Sequence, residues 1–210
     1  MPVSEVYNID CMEFMSTCKD KQFDLAIVDP PYGIGANKMT LGNGKRIINR
    51  GSADWDLTIP SFDYWKELIR ISKHRIVWGG NYMTDFLMPS RGWVVWDKGT
   101  GDNDYADGEL AWTSFDKVLK IFKYSWVGAN AKNESNRIHP TEKPVQLYKW
   151  LLKNYAKEGD KILDTHLGSG SSRIACYDGG FDFWGCEIDK EYFDASVKRF
   201  EIFKSQGKLF

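Results

Sequence analysis

Metal-binding, disulfide and membrane signatures are all scarce in this chain. Its 210 residues include four cysteines, Cys11, Cys18, Cys176 and Cys186, with no Cys-x-x-Cys pair and no histidine cluster beside them. That spacing argues against a zinc site or a disulfide framework and for small buried thiols in a reducing cytosol, and no metal is expected. No apolar run approaches the roughly 18 residues of a membrane span, and the N-terminus has no basic, apolar leader. The sequence therefore predicts a cytoplasmic protein with no membrane partner. An excess of charge of either sign is missing too: the net charge of −1 excludes a surface coated for nucleic acid but allows a local basic patch. Repeats, linkers and low-complexity segments are absent. With 42% hydrophobic and 27% charged residues, residues 1–210 fit one globular domain with a sizeable core.

Within that domain, the run Phe23 to Val28 reads as a buried strand and stops at Asp29-Pro30-Pro31-Tyr32. Proline fixes its own backbone and restricts the residue before it, so Asp29 is held extended and the turn that carries Tyr32 is rigid. One acid and one aromatic, rigidly placed at a strand end, suit catalysis, although a lone Pro-Pro is more often a plain strand-ending turn. Residues 33–56 follow as a basic, glycine-rich loop with Lys38, Lys45, Arg46 and Arg50 and no acid before Asp54. Loops of this length inside a compact domain are usually lids or binding loops, or solvated surface.

Elsewhere the pattern alternates strands and helices. Val3 to Ile9 is a strand that delivers Asp10, and a short helical stretch follows. Phe62, Trp65, Leu68 and Ile69 form one face of a helix capped by Ser61. Arg75 to Trp78 and Trp93 to Trp96 are further strands, and Leu110 to Ser114 with Val118 to Tyr124 read as an antiparallel pair. Thr141 is placed to cap a helix with Pro144 in its first turn. A second strand-turn-helix unit runs from Lys161 through Asp164-Thr165-His166-Leu167-Gly168-Ser169-Gly170 into a helix, and the next strand, Phe183 to Cys186, delivers Glu187. Glycines at such a turn let a ligand approach backbone N–H groups at a helix N-terminus, and a carboxylate one strand later is placed for ribose hydroxyls. The third glycine of the dinucleotide fingerprint is missing, and Arg173 stands there. A nucleoside cofactor without a pyrophosphate is expected.

With these motifs in this order, nearly the whole chain resembles the S-adenosylmethionine-dependent amino-group DNA methyltransferases, which act on adenine N6 or cytosine N4. Asp29-Pro30-Pro31-Tyr32 is similar to their catalytic tetrad. Asp164 to Gly170 is similar to their methionine-binding loop, with Thr165-His166 where the family commonly has Pro-Phe. The segment Asn136 to Pro144, with His139, Pro140, Thr141 and Lys143, resembles the one that packs on the cofactor's methionine end. Asp10 resembles the acid that meets its adenine. The catalytic motif first and the cofactor loop last resembles the family's beta arrangement.

The resemblance implies an α/β fold, a doubly wound, mostly parallel seven-stranded sheet with an antiparallel edge pair. It further implies S-adenosylmethionine as cofactor, S-adenosylhomocysteine as product, and a prokaryotic or phage setting. The implied cofactor-binding set is Asp10, His139, Pro140, Thr141, Lys143, Asp164, Thr165, Leu167, Gly168, Ser169, Gly170 and Glu187. Asp29 and the Pro30 carbonyl would take the hydrogens of the target amine, while Tyr32, after Pro31, stacks on a flipped base. An aspartate opening the motif implies adenine N6 in DNA. N4-cytosine, RNA or a protein amide as target, and a silent nucleic-acid-binding subunit, are the alternatives. Residues 124–137 are the only stretch for target recognition, which favours a homodimer sharing the duplex, with Lys38, Lys45, Arg46 and Arg50 on the DNA.

Overall fold

Strand β2 (Phe23–Val28) sets the architecture, because nearly all its side chains are buried. A strand buried on both faces must be covered on both, and alternate residues go to opposite layers. Leu25 and Ile27 join Ile76, Trp78, Leu147 and Leu151 in one core; Ala26 and Val28 join Phe14, Met15, Tyr64, Trp65, Leu68 and Val77 in the other. The computed structural model describes residues 1–35, 56–100, 106–126, 138–139 and 141–206. Lys38, Lys45, Arg46, Arg50 and Pro140 lie outside these, as does nearly all of the segment 124–137.

The chain begins with β1 (Ser4–Tyr7) and α1 (Cys11–Ser16), and after β2 come α2 (Phe62–Ile71), β3 (Ser72–Trp78) and a short 3₁₀ turn at Gly80–Tyr82. Strands β4 (Trp93–Asp97), β5 (Gly108–Thr113) and β6 (Lys120–Lys123) are followed by α3 (Val145–Tyr155) and β7 (Lys161–Asp164). Helix α4 (Ser171–Gly179), β8 (Asp182–Cys186) and α5 (Lys190–Ser205) close the order. The strands of the described residues form one sheet in the order β1-β8-β7-β2-β3-β5-β4-β6.

This is the mixed, doubly wound α/β fold expected, with eight strands among the described residues instead of seven. The antiparallel feature differs from the expectation. Strand β5 runs antiparallel to both β3 and β4, while β6 pairs with β4 in parallel, so the two strands expected to pair lie on opposite sides of β4. Burial explains the arrangement: Ala111, Trp112 and Thr113 of β5 are buried and need neighbours on both sides, whereas β6 exposes Lys120, Ile121 and Lys123 and fits an edge. Helix capping also departs from the sequence reading. Pro144, with no N–H to lose, is the N-cap of α3 in place of Thr141, and Ser61 occupies the α2 cap position without a side-chain hydrogen bond.

What matters for the site is the pair β7 and β2, which are parallel neighbours with Leu25 beside Ile162. Chain from β7 crosses to β8 on one side, and chain from β2 crosses to β3 on the other. A crevice opens where connections diverge in this way, outside the carboxyl ends of the strands. Asp164 and Asp29 both arrive there.

Candidate active site

The turn after β2 is fixed from outside itself. Asp56, almost fully buried, accepts hydrogen bonds from the backbone N–H groups of Tyr32 (2.7 Å) and Gly33 (3.0 Å). The Tyr32 hydroxyl donates to Asp29 Oδ1 at 2.6 Å, and its ring stacks on Tyr82 with centroids 5.2 Å apart. The same ring packs on the backbone of Gly79, where φ is +66° and a Cβ would come within 2.2 Å of Tyr32 Cε1. Only glycine satisfies both the conformation and the space. Gly79→Ala should therefore destabilise the protein by about 2–3 kcal/mol through overpacking and backbone strain. Combining it with Tyr32→Ala should recover part of that loss in a denaturation double-mutant cycle, whereas additive losses would show that ring and glycine are independent.

Asp29 does not stand alone. Its Oδ2 accepts a short hydrogen bond from Lys143 Nζ, which also donates to the Tyr32 hydroxyl at 3.2 Å and lies 3.1 Å from Glu109 Oε2. Glu109 is paired through Oε1 with Lys98 at 2.7 Å. The Lys143 side chain is only 2% exposed, so its charge is buried against two carboxylates. Burial raises the Asp29 carboxyl above its ordinary value; Lys143 and the Tyr32 hydroxyl pull it down and Glu109 adds to the rise. Burial depresses the Lys143 ammonium, and Asp29 and Glu109 more than reverse that. The resemblance puts Lys143 at the cofactor's methionine end; its polar contacts among the described residues go to the catalytic turn and to Glu109.

Across the crevice, the turn after β7 wraps around Gly168, at φ +49°. Gly168 N–H donates to Glu187 Oε2 at 2.8 Å, and Asp189 N–H donates to Glu187 Oε1 at 3.0 Å. These bonds fix the carboxylate at the end of β8, and each oxygen keeps a lone pair for a ligand hydroxyl. Asp10, at the end of β1, caps α1 by accepting from Met12 N at 2.8 Å. Asp164 is different: it lies behind the turn, accepting from Ser172 Oγ (2.6 Å) and His166 N (3.0 Å), and does not line the crevice. Burial, opposed by those bonds, raises its carboxyl to about 7. Gly170 is likewise set back as the N-cap of α4, at φ +74°.

One cavity of about 830 Å³ joins the two halves. Asp29, Pro30, Pro31 and Tyr32 share its wall with Asp10, His139, Thr141, Lys143, Thr165, Leu167, Gly168, Ser169 and Glu187. Most of the expected set is thus brought together, and the volume falls in the usual range for small-molecule sites. Two strand-end carboxylates beside an accessible glycine turn fit a nucleoside cofactor. The histidines carry no charge there near neutrality: burial lowers both His139 and His166 to about 4. His139 packs on Tyr192, with centroids 4.4 Å apart, and His166 Nδ1 meets Thr165 Oγ1 at 3.0 Å. Sequence reasoning did not assign Asp56, Tyr82, Lys98 or Glu109. Tyr82 and Lys98 follow strand ends, a detectable signal; Asp56 and Glu109 gave none, since only the fold carries them to Asp29. Among the described residues no group of three or more His, Cys, Asp or Glu could hold a metal ion.

A doubly wound sheet with a nucleoside-sized crevice at its switch point, and with an Asp-Pro-Pro-Tyr turn facing a glycine turn across it, defines a group-transfer enzyme of the methyltransferase class. The DNA methylase family N6_N4_Mtase matches residues 95–198. The chain is 25% identical over 236 aligned residues to the type II methyltransferase M2.DpnII of Streptococcus pneumoniae, covering 91% of this chain and 87% of that one. In fold it is similar to the M1.HpyAVI–SAM complex (TM-score 0.60, 19% identity, 93% and 98% of the two chains). It is also similar to the cytosine-N4-specific PvuII DNA methyltransferase (TM-score 0.62, 15% identity, 98% and 92%). The family match, the type II relatives and the solved structures together support an amino-group DNA methyltransferase.

Proposed function

We propose that this protein transfers a methyl group from S-adenosylmethionine to the exocyclic N6 of adenine in DNA. The observation that carries the proposal is the placement of the Asp29 carboxylate, held by Tyr32 and Lys143, on the wall of the cavity that also holds Gly168 and Glu187. Glu187 and Asp10 are placed to hold the nucleoside end of the cofactor. Gly168, Leu167, Ser169 and Thr165, with His139 and Thr141 opposite, form the wall beside its methionine end. Bound there, S-adenosylmethionine supplies a sulfonium methyl group whose departure leaves the S–C electron pair on sulfur.

An amino group on a base is a poor nucleophile because its lone pair is delocalised into the ring. Asp29 accepts one amino hydrogen and the Pro30 carbonyl the other, which draws the nitrogen toward tetrahedral geometry and turns its lone pair to the methyl carbon. The new N–C bond leaves the nitrogen positive until it sheds a proton to the Asp29 carboxylate and from there to water. Alignment of this kind can contribute about 7–11 kcal/mol to lowering the barrier. Tyr32 stacks on the flipped base, a contact worth roughly 1–3 kcal/mol. For that, Tyr82 yields its place on the ring, and at 46% exposure it has room to leave.

Adenine is favoured by the aspartate that opens the catalytic motif in this motif order, while the likeness in fold to a cytosine-N4-specific enzyme keeps N4-cytosine as the second reading. Incubation with labelled S-adenosylmethionine and DNA, followed by nucleoside analysis, decides between them. N6-methyladenine is the expected product; N4-methylcytosine alone would overturn the assignment, and no label in any nucleic acid would point to a silent subunit. The basic loop, with Lys38, Lys45, Arg46 and Arg50, is proposed to close on DNA phosphates, and residues 124–137 to supply what target recognition one subunit has, with a homodimer sharing the duplex. Replacing Lys45, Arg46 and Arg50 by Ala should weaken DNA binding and flatten its logarithmic salt dependence by up to about three units. An unchanged slope would remove the loop from the interface.

A further inference from the structure

We propose that Lys143 is a positioning residue for Asp29, and that Glu109 competes with Asp29 for its charge; the proposal rests on the methyltransferase function above. Lys143 is buried between the two carboxylates, and its polar contacts among the described residues go to Asp29, Tyr32 and Glu109. None goes to the glycine turn or to Glu187. Glu109 Oε2, 3.1 Å from Lys143 Nζ, pairs with it as a second buried counter-charge. The bond to Asp29 is directional as well as charged.

The chemistry explains why such a contact is useful. Asp29 accepts an amino hydrogen only while ionised and only while its carboxylate plane stays aimed at the base. Two buried carboxylates sharing a site cannot both stay ionised without a cation between them, because like charges raise one another's affinity for a proton. Lys143 supplies that cation, and with the Tyr32 hydroxyl on the other oxygen it clamps the carboxylate at both ends. Each oxygen still keeps a lone pair for the substrate. The groups facing this cluster are Tyr32 from the β2 turn, Glu109 from β5, Lys98 from the end of β4, Tyr148 from α3, Asp164 from β7 and His139. Lys98 neutralises the far oxygen of Glu109 and limits how strongly Glu109 draws Lys143 away.

Two substitutions should move the pH dependence in opposite directions. Lys143→Met removes the cation, so the acid limb of the single-turnover rate profile should shift to higher pH and the rate near neutrality fall by about 10²-fold, the scale for losing one preorganised polar partner. Glu109→Gln removes the competing charge, so the limb should shift to lower pH. Cofactor Kd should stay within about twofold in both, since the binding step is not touched. Lys143→Arg keeps the charge and should restore the position of the limb in part. Carboxyl ¹³C NMR titration of Asp29 in the same proteins follows the pairing without any turnover. Wild-type protein that methylates no nucleic acid would defeat the functional assignment, while the NMR titration would still decide the pairing. A Lys143→Met protein with cofactor binding weakened more than about tenfold and an unmoved Asp29 titration would make Lys143 a cofactor ligand and overturn the proposal. Should Lys143→Met fail to fold, Glu109→Gln decides: a limb that stays or moves upward contradicts the proposal.

Discussion

Asp29→Ala protein should bind S-adenosylmethionine almost as the wild type does and transfer almost no methyl. The separation follows from the geometry: Asp29 contacts Tyr32 and Lys143 on the β2 side of the crevice, while Gly168 and Glu187 hold each other on the β7 side. Removing the carboxylate deletes the acceptor for one amino hydrogen and relaxes the nitrogen toward its planar, unreactive form. The loss should be at least about 10²–10³ in rate, the effect of deleting one preorganised transition-state partner. Truncation also leaves Lys143 buried with Glu109 as its remaining carboxylate, a change that can cost about 3–5 kcal/mol of stability when a buried pair is broken. Asp29→Asn is the companion variant, keeping shape and one acceptor while losing the charge. It should fold better than the alanine variant and remain deeply impaired. Wild-type transfer by Asp29→Ala would remove the residue from catalysis.

Gly168→Val should fail in the opposite order, losing the cofactor first. The added methyls would occupy space through which a ligand approaches the turn. The structure adds a second cause: at φ +49° a β-branched residue is strained, whereas the nearest protein atoms to a new Cβ, on the His139 ring, are at an ordinary 3.7 Å. Relief of about 1–2 kcal/mol of backbone strain would pull the Gly168 N–H away from Glu187 and release the carboxylate. Cofactor Kd should rise by about tenfold or more, tenfold for each 1.4 kcal/mol, and part of the transfer rate should return at saturating cofactor because Asp29 is undisturbed. Equilibrium titration measures the first effect and single-turnover kinetics the second. An unchanged Kd would mean the turn does not carry the cofactor.

How far the sequence foretold these sites depends on the range of the interactions. Strand ends marked by Pro-Pro or glycine were legible, because backbone restriction is written in the residue itself: β2 ends before Asp29 and β7 before Gly168 as expected. The two-faced burial of β2 was legible in its apolar run, interrupted only by Asp24 near its start. Strand partners were not, since β5 and β6 are adjacent in sequence and yet separated by β4, an order decided by how much of each must be buried. The same limit hid the surroundings of Asp29. Lys143 comes from a segment whose resemblance points to the cofactor, and 114 residues of chain separate it from the carboxylate it meets. Glu109 reaches the cluster only because β5 is inserted beside β3. Asp164 is set apart as well: the motif resemblance points to ligand contact, while its oxygens accept from Ser172 Oγ and His166 N behind the turn.

In the proposed function, one carboxylate activates an adenine amine in DNA at a cavity whose cofactor half works without it. The most direct measurement takes a single preparation each of wild-type and Asp29→Asn protein, titrates cofactor binding, then mixes enzyme in excess with DNA and labelled S-adenosylmethionine and identifies the labelled nucleoside over time. Equal binding, rapid appearance of N6-methyladenine with wild type, and a rate at least about 10²-fold lower with Asp29→Asn are the expected results. Equal rates in the two proteins, or loss of cofactor binding in Asp29→Asn as severe as its loss of transfer, would contradict it.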